Sequence, residues 1–232
     1  HINKAVFVGV PNTGAPKAVK VLLLGDNFNI WGLNDQEVKK IAENMPGIYD
    51  LLPTQKYYDS DGSYFKKAIG TLFGSSEKDL NYTETQDYLK SSFNVTAINQ
   101  SQNLHSLAYD NYDVSQSGID AYNIIGCKTS TVGKISSFQF DSKIFNSYGI
   151  YNNYTGDGTV PLGSGSNFPT NNSHIFYALK ADHSKMPSAD GIRQEIVNLI
   201  AGSNLNVGNN IITKATLDAD PNKCQLTGWW AW

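Results

Sequence analysis

The sequence predicts an α/β fold, with parallel strands alternating with helices and a long insertion after the first strand. Three apolar runs at 5–10, 121–126 and 174–179 have the composition of strands buried on both faces of a parallel sheet. Helical patterns lie between them, as a parallel sheet requires. The stretch from about 27 to 112 is aromatic-rich and mostly helical in pattern, and it reads as the insertion.

Each element has its own signal. Ala5 to Val10 is the first strand, ended by Pro11-Asn12-Thr13-Gly14, and Ala15 to Leu24 reads as a short helix. Asn34 with Glu37 three residues later makes a capping box that opens a helix with Val38, Ile41, Ala42 and Met45 on one face. Pro46-Gly47 stops it. Residues 50 to about 97 are irregular, with Asp59-Ser60-Asp61-Gly62 as a turn and a short helix near Tyr64 to Phe73; residues 98–110 look helical again. Ala121 to Gly126 is the second strand, Lys134 to Ile144 alternates loosely like a hairpin, and His174 to Leu179 is the third strand. Ser188 or Asp190 caps a last helix with Ile192, Ile196, Leu199 and Ile200 in one stripe, ended by Gly202. The tail from Ser203 is polar and closes on Trp229, Trp230 and Trp232, the mark of a cut inside a longer protein or of a segment docked on the domain.

Composition narrows the function classes. Only 17% of residues are charged, the net charge is -3, and no basic stripe is present, so nucleic acid is not an expected partner. No apolar run approaches the ~20 residues that span a bilayer. The strand-like run begins almost at His1, so any export signal lies outside these residues. A surface rich in uncharged polar side chains suits an extracellular or cell-surface location. Sequons at Asn81, Asn94, Asn99, Asn153 and Asn171 matter only if a eukaryote secretes the chain. No cofactor or metal is expected: two cysteines are too few for a zinc site, and Asp59 with Asp61 lacks the distal Glu of a calcium loop. Cys127 ends an apolar strand and reads as a buried thiol, a single Cys127–Cys224 bridge being the alternative.

The candidate chemistry sits in Gly156-Asp157-Gly158-Thr159-Val160-Pro161, followed one strand later by Ala181-Asp182-His183-Ser184. An acid on a glycine-flanked turn, exposed at the carboxyl edge of a sheet, then a histidine past the next strand, is the back half of a Ser…Asp…His triad. Asp157 would fix the imidazole tautomer and stabilise the imidazolium, and His183 would be the base. Each residue alone is commonly structural; their order, the single intervening strand and the helix after His183 favour the pair. Asp182 competes to orient His183, but neighbours on an extended chain point to opposite sides. His1, His105 and His174 read as structural or incidental. No Gly-x-Ser-x-Gly occurs in the 232 residues. Ser164 and Ser166 follow the acid motif in a Gly/Ser loop, a poor setting for a nucleophile.

The segment Val6 to Pro53 resembles the region after the nucleophile in the lecithin:cholesterol acyltransferase-like lipases, a branch of the α/β-hydrolases. It carries that family's Gly-x-Pro-x-x-Gly-x-Pro turn at Gly9 to Lys17 and its Pro-x-x-Tyr-x-Leu-Leu-Pro element at Pro46 to Pro53. Gly156 to Pro161 matches the acid motif, and His183 falls where the base should be. The resemblance extends over about residues 5–202 and implies a serine lipase, esterase or acyltransferase acting on lipid or other acyl esters. Residues 1–202 would be the C-terminal portion of a hydrolase sheet, the insertion at about 27–112 its cap over an acyl-binding cleft, and 203–232 an extension. The serine and oxyanion donors would lie outside this chain. Contact with a lipid surface and dimerisation through an exposed sheet edge beside the first strand are further expectations. The competing reading is a non-catalytic, hydrolase-derived binding module at a cell surface.

Overall fold

The computed structural model describes residues 2–27, 31–71, 74–110, 112–140, 145–203, 208 and 210–226. Along the chain come β1 (Lys4–Val8), α1 (Pro16–Leu24), α2 (Asp35–Glu43), α3 (Pro46–Tyr49) and α4 (Gln55–Asp61). Next are β2 (Phe65–Thr71), β3 (Gly74–Asp79), α5 (Tyr82–Lys90) and α6 (Val95–Leu104), then β4 (Asp120–Cys127) and β5 (Thr129–Thr131). The hairpin β6 (Lys134–Phe140) and β7 (Phe145–Tyr151) precedes β8 (Tyr154–Gly156), α7 (Leu162–Ser166) and β9 (Ile175–Leu179). α8 (Ile192–Ala201), β10 (Ile211–Thr213) and α9 (Lys214–Ala219) complete the order. The chain divides into two compact units, each built from separated segments.

The first unit comprises His1–Asn12, Tyr112–Thr131 and Asn153–Trp232. Its sheet has the order β1-β4-β9-β10. β1 with β4 and β4 with β9 pair in parallel, and β10 runs antiparallel to β9. The three apolar runs therefore lie parallel in one sheet. Strand alternation divides them between two cores: Ile124, Phe176 and Ala178 pack with Met186, Ile192 and Leu199, while Ile125, Ile175 and Tyr177 pack with Cys127 and Cys224. β1 is an edge strand among the described residues.

The second unit comprises Thr13–Asn111 and Val132–Asn152. Among the described residues it holds the α-helices α1 to α6 and a sheet of order β3-β2-β6-β7, in which the β2–β6 pairing is parallel and the other two are antiparallel. Leu22, Tyr49, Tyr64, Phe65, Leu89, Ile98 and Ile135 form its core, each at most 1% exposed. The Asn34–Glu37 capping box is present in full, and Asn81 with Glu84 builds a second one.

Several expectations are corrected. The stretch near Tyr64 to Phe73 forms strand β2, not a helix. Phe65, Ala68 and Ile69 are spaced like a helical stripe, but pairing with β3 and β6 decides the conformation. Asp59 and Asp61 belong to the end of α4, closed by Gly62, not to a turn. The N-cap of α8 is Gly191, which offers no side-chain cap, and Glu195 replaces Ile200 on the helix's buried face; Ile200 is 59% exposed. On α2, Val38 and Ala42 are buried, whereas Ile41 is half exposed, as is Met45, which lies beyond the helix and caps α3. Cys127 is not a thiol: it is bonded to Cys224 across 97 positions, tying the tail to the end of β4. Trp229, Trp230 and Trp232 lie outside the described residues. Among those described, no helix is long and apolar enough to cross a membrane.

Candidate active site

The acid loop is held from both sides. β8 pairs with β5, and Asp157 follows directly, its backbone N–H donating to the Val160 carbonyl at 3.2 Å. Gly158 N donates to Thr131 Oγ1 at 2.8 Å. Asp157 is 1% exposed, so the expectation of an exposed carboxylate is corrected. Burying that charge requires partners, and three are present. Oδ1 accepts from the N–H groups of Thr159 (2.9 Å) and Val160 (2.7 Å), and Oδ2 lies 2.9 Å from His183 Nδ1.

His183 follows β9 and opens a 3₁₀ turn, His183–Ser188. It is tied to the acid twice, because its backbone N–H also donates to the Asp157 carbonyl at 2.8 Å. Its side chain is 38% exposed. Asp182, the competing acid, turns instead to Ser184, accepting from its N–H (3.1 Å) and its Oγ (2.6 Å).

Two glycines, unmarked by any sequence signal beyond the turn motif, make room for this pair. Gly9 leaves β1 at φ +62; a Cβ there would sit 3.2 Å from Asp157 Oδ2 and 3.3 Å from His183 Nδ1. A Cβ on Gly126 in β4 would lie 2.4 Å from Asp157 Cβ and 2.8 Å from Met186 Cε. The strand floor is cut back to backbone where the acid and histidine approach it. Together they sit against the ends of β1 and β4 toward which the parallel strands run, where α/β sheets commonly hold their chemistry.

The remaining candidates lie elsewhere. Ser164 is fully buried within α7. His174 ends a 3₁₀ turn instead of lying on β9; it stacks on Tyr122 with ring centroids 4.3 Å apart and approaches Asp120 at 3.3 Å. Burial and the Asp120 carboxylate, which accepts from its hydroxyl, push the Tyr122 phenol up to about 12. His105 is buried in the second unit between Asp110 Oδ1 (2.7 Å) and the Asp50 carbonyl (2.8 Å). No group of three or more His, Cys, Asp or Glu side chains placed to hold a metal occurs among the described residues.

No curated protein matches the chain in sequence. The model of the lecithin:cholesterol acyltransferase family matches residues 1–134, a span that ends before Asp157 and His183. That span covers β1, the turn after it, the segment to Pro53 and β4, more than half of the chain, and the chain belongs to the lecithin:cholesterol acyltransferase family.

Proposed function

We propose that this chain supplies the acid and base, Asp157 and His183, of a Ser-Asp-His triad in a lipase, esterase or acyltransferase acting on acyl esters, with the serine on a segment outside these 232 residues. The observation carrying the reading is the buried Asp157 carboxylate 2.9 Å from His183 Nδ1, over a strand floor opened by Gly9 and Gly126. With Nδ1–H donated to the carboxylate, Nε2 is the unprotonated nitrogen that takes the serine proton and later returns it to the leaving group. The Asp157 carboxylate steadies the imidazolium; its two backbone N–H bonds keep the other oxygen from rotating toward the ring. In this reading residues 1–202 are a partial α/β-hydrolase domain, with 27–112 as its cap insertion and 203–232 as an extension. The Cys127–Cys224 bridge supports an extracellular setting, since such bonds persist in oxidising compartments. Contact with a lipid surface and pairing of two copies through the β1 edge belong to the same proposal.

The test uses two polypeptides. The 232-residue chain alone should turn over no p-nitrophenyl ester and take up no fluorophosphonate. A polypeptide carrying it together with the serine-bearing segment should do both. In that polypeptide His183→Ala should abolish turnover, and Asp157→Asn should lower kcat by about 10⁴ through the wrong tautomer. Stoichiometric labelling of the 232-residue chain, or full turnover in His183→Ala, refutes the reading. The absence of Gly-x-Ser-x-Gly here favours one rival, a hydrolase-derived binding module; it prevails if the gene encodes no such motif.

A further inference from the structure

The second unit contains a cavity unconnected to any role above. An open part of about 450 Å³ is lined by Gln55, Asn99, Asn103 and Asp110, among others. A deeper recess of about 10 Å³ is lined by Gln86 and Ser101, and both parts share Thr54, Tyr82, Gln102 and His105. The larger volume falls in the range of small-molecule sites, and the recess has room for about one oxygen atom.

Two buried polar atoms, on side chains that line the recess, lack partners. Thr54 and Gln86 are each 4% exposed, yet Thr54 Oγ1 and Gln86 Oε1 have no hydrogen-bond partner in the protein. A buried polar group left unpaired is costly, and natural folds rarely tolerate it without a partner to be supplied. Beside them, His105 starts a π-helical turn, His105–Tyr109, a local widening that recurs at functional sites.

The lining specifies the ligand's chemistry. His105 faces the Asp110 carboxylate through Nδ1 and the Asp50 carbonyl through Nε2, so both nitrogens meet acceptors and the imidazolium form satisfies both. Its charge is cancelled by Asp110. Lys56 is committed to the Asp110 carbonyl and Lys90 to Gln102 Oε1, which leaves neither to attract an anion. An acyl chain would leave Thr54 Oγ1 and Gln86 Oε1 unpaired. The carboxamides of Asn99 and Asn103 each offer a donor and an acceptor side by side, which suits adjacent hydroxyls, and Tyr82 adds an aromatic ring.

We propose that this cavity binds a neutral polyol of monosaccharide size, one hydroxyl entering the recess to donate to Gln86 Oε1 and pair with Thr54 Oγ1. The ligand could be a free sugar or a residue of a glycan, which share this chemistry. Titrating the 232-residue chain calorimetrically with glucose, galactose, N-acetylglucosamine, their methyl glycosides and myo-inositol tests the idea without any catalytic serine, so its outcome is independent of the triad. Saturable one-to-one binding of a member of this set is expected, with inorganic phosphate and butyrate inert. Tighter binding of a glycoside than of its free sugar identifies a glycan; the reverse identifies the free sugar. Thr54→Val and Gln86→Leu should each weaken binding about three- to tenfold, the cost of one neutral hydrogen bond. Without sugar, both variants should melt at or above the parent temperature, because each removes an unpaired group. Absence of saturable binding to the whole set overturns the proposal. So does preference for phosphate or butyrate, parental affinity in both variants, or a lowered melting temperature without sugar, which would reveal an internal partner.

Discussion

Replacing Gly126 with Ala adds one methyl group and should strike directly at the contact between Asp157 and His183. The new Cβ would lie 2.4 Å from Asp157 Cβ, 3.3 Å from Asp157 Cα and 2.8 Å from Met186 Cε. The methionine methyl can swing away, but Asp157 cannot: two backbone N–H bonds and His183 hold its carboxylate, and a backbone bond from His183 holds its carbonyl. Overpacking of this kind costs about 1–3 kcal/mol. Loss of one hydrogen bond to the carboxylate adds about 1.5–3 kcal/mol. The expected destabilisation is therefore about 2.5–6 kcal/mol. Gly47→Ala is the control, since a Cβ there meets nothing within 4 Å and Gly47 lies in α3; it should be neutral or stabilise by up to about 1 kcal/mol. Hydrogen exchange of the β4 and β9 amides reads the first unit separately from the second. Proton NMR should in parallel lose the downfield Nδ1–H signal of His183. A Gly126→Ala protein within about 0.5 kcal/mol of the parent, the span of an ordinary surface change, would refute the argument.

Two further outcomes follow from the same geometry. Breaking Cys127–Cys224 frees a loop of 97 positions, for which the chain-entropy relation gives about 4.7 kcal/mol; Cys127→Ala with Cys224→Ala should therefore lower protection of the β4 and β9 amides sharply, and unchanged protection would contradict this. Burial opposes protonation of His105, but Asp110 and the Asp50 carbonyl outweigh it and raise the imidazole above its ordinary 6.5. Its stabilising contribution is thus complete below about 6.5 and is lost as pH rises through the higher folded value. Exchange of the α6 amides should accelerate across that window beyond its intrinsic base catalysis, and His105→Gln should remove the pH dependence; a pH-independent stability in the parent would refute the ion pair.

The parallel strands were readable because each is apolar on both faces and short, a pattern that local composition carries. Asp157 and His183 were readable for a similar reason: the acid motif is contiguous and one strand separates it from the histidine. What escaped depends on partners distant in the chain. β2 contains Lys66, Lys67 and Gly70 and becomes a strand by pairing with β3 on one side and with β6, from residues 134–140, on the other. Two cysteines in a chain of this length say nothing of whether they meet. The clearance at Gly126 was invisible for another reason: its neighbours, Asp157 and Met186, arrive from later segments.

The interleaving of the two units has a consequence for synthesis. β1 emerges well before β4, its only strand partner among the described residues, with Val8 opposite Ile124. At ordinary translation speeds the first strand waits on the order of ten seconds for that partner. The second unit's strands and core residues all lie between Thr13 and Asn152, so it can assemble while the segment that will supply β9 is still inside the ribosome. An apolar edge left waiting is a target for mispairing. The growing chain is thus most vulnerable between the appearance of Val8 and that of Ile124, and a chaperone that grips nascent β1 should raise the yield of native protein more than one acting after release.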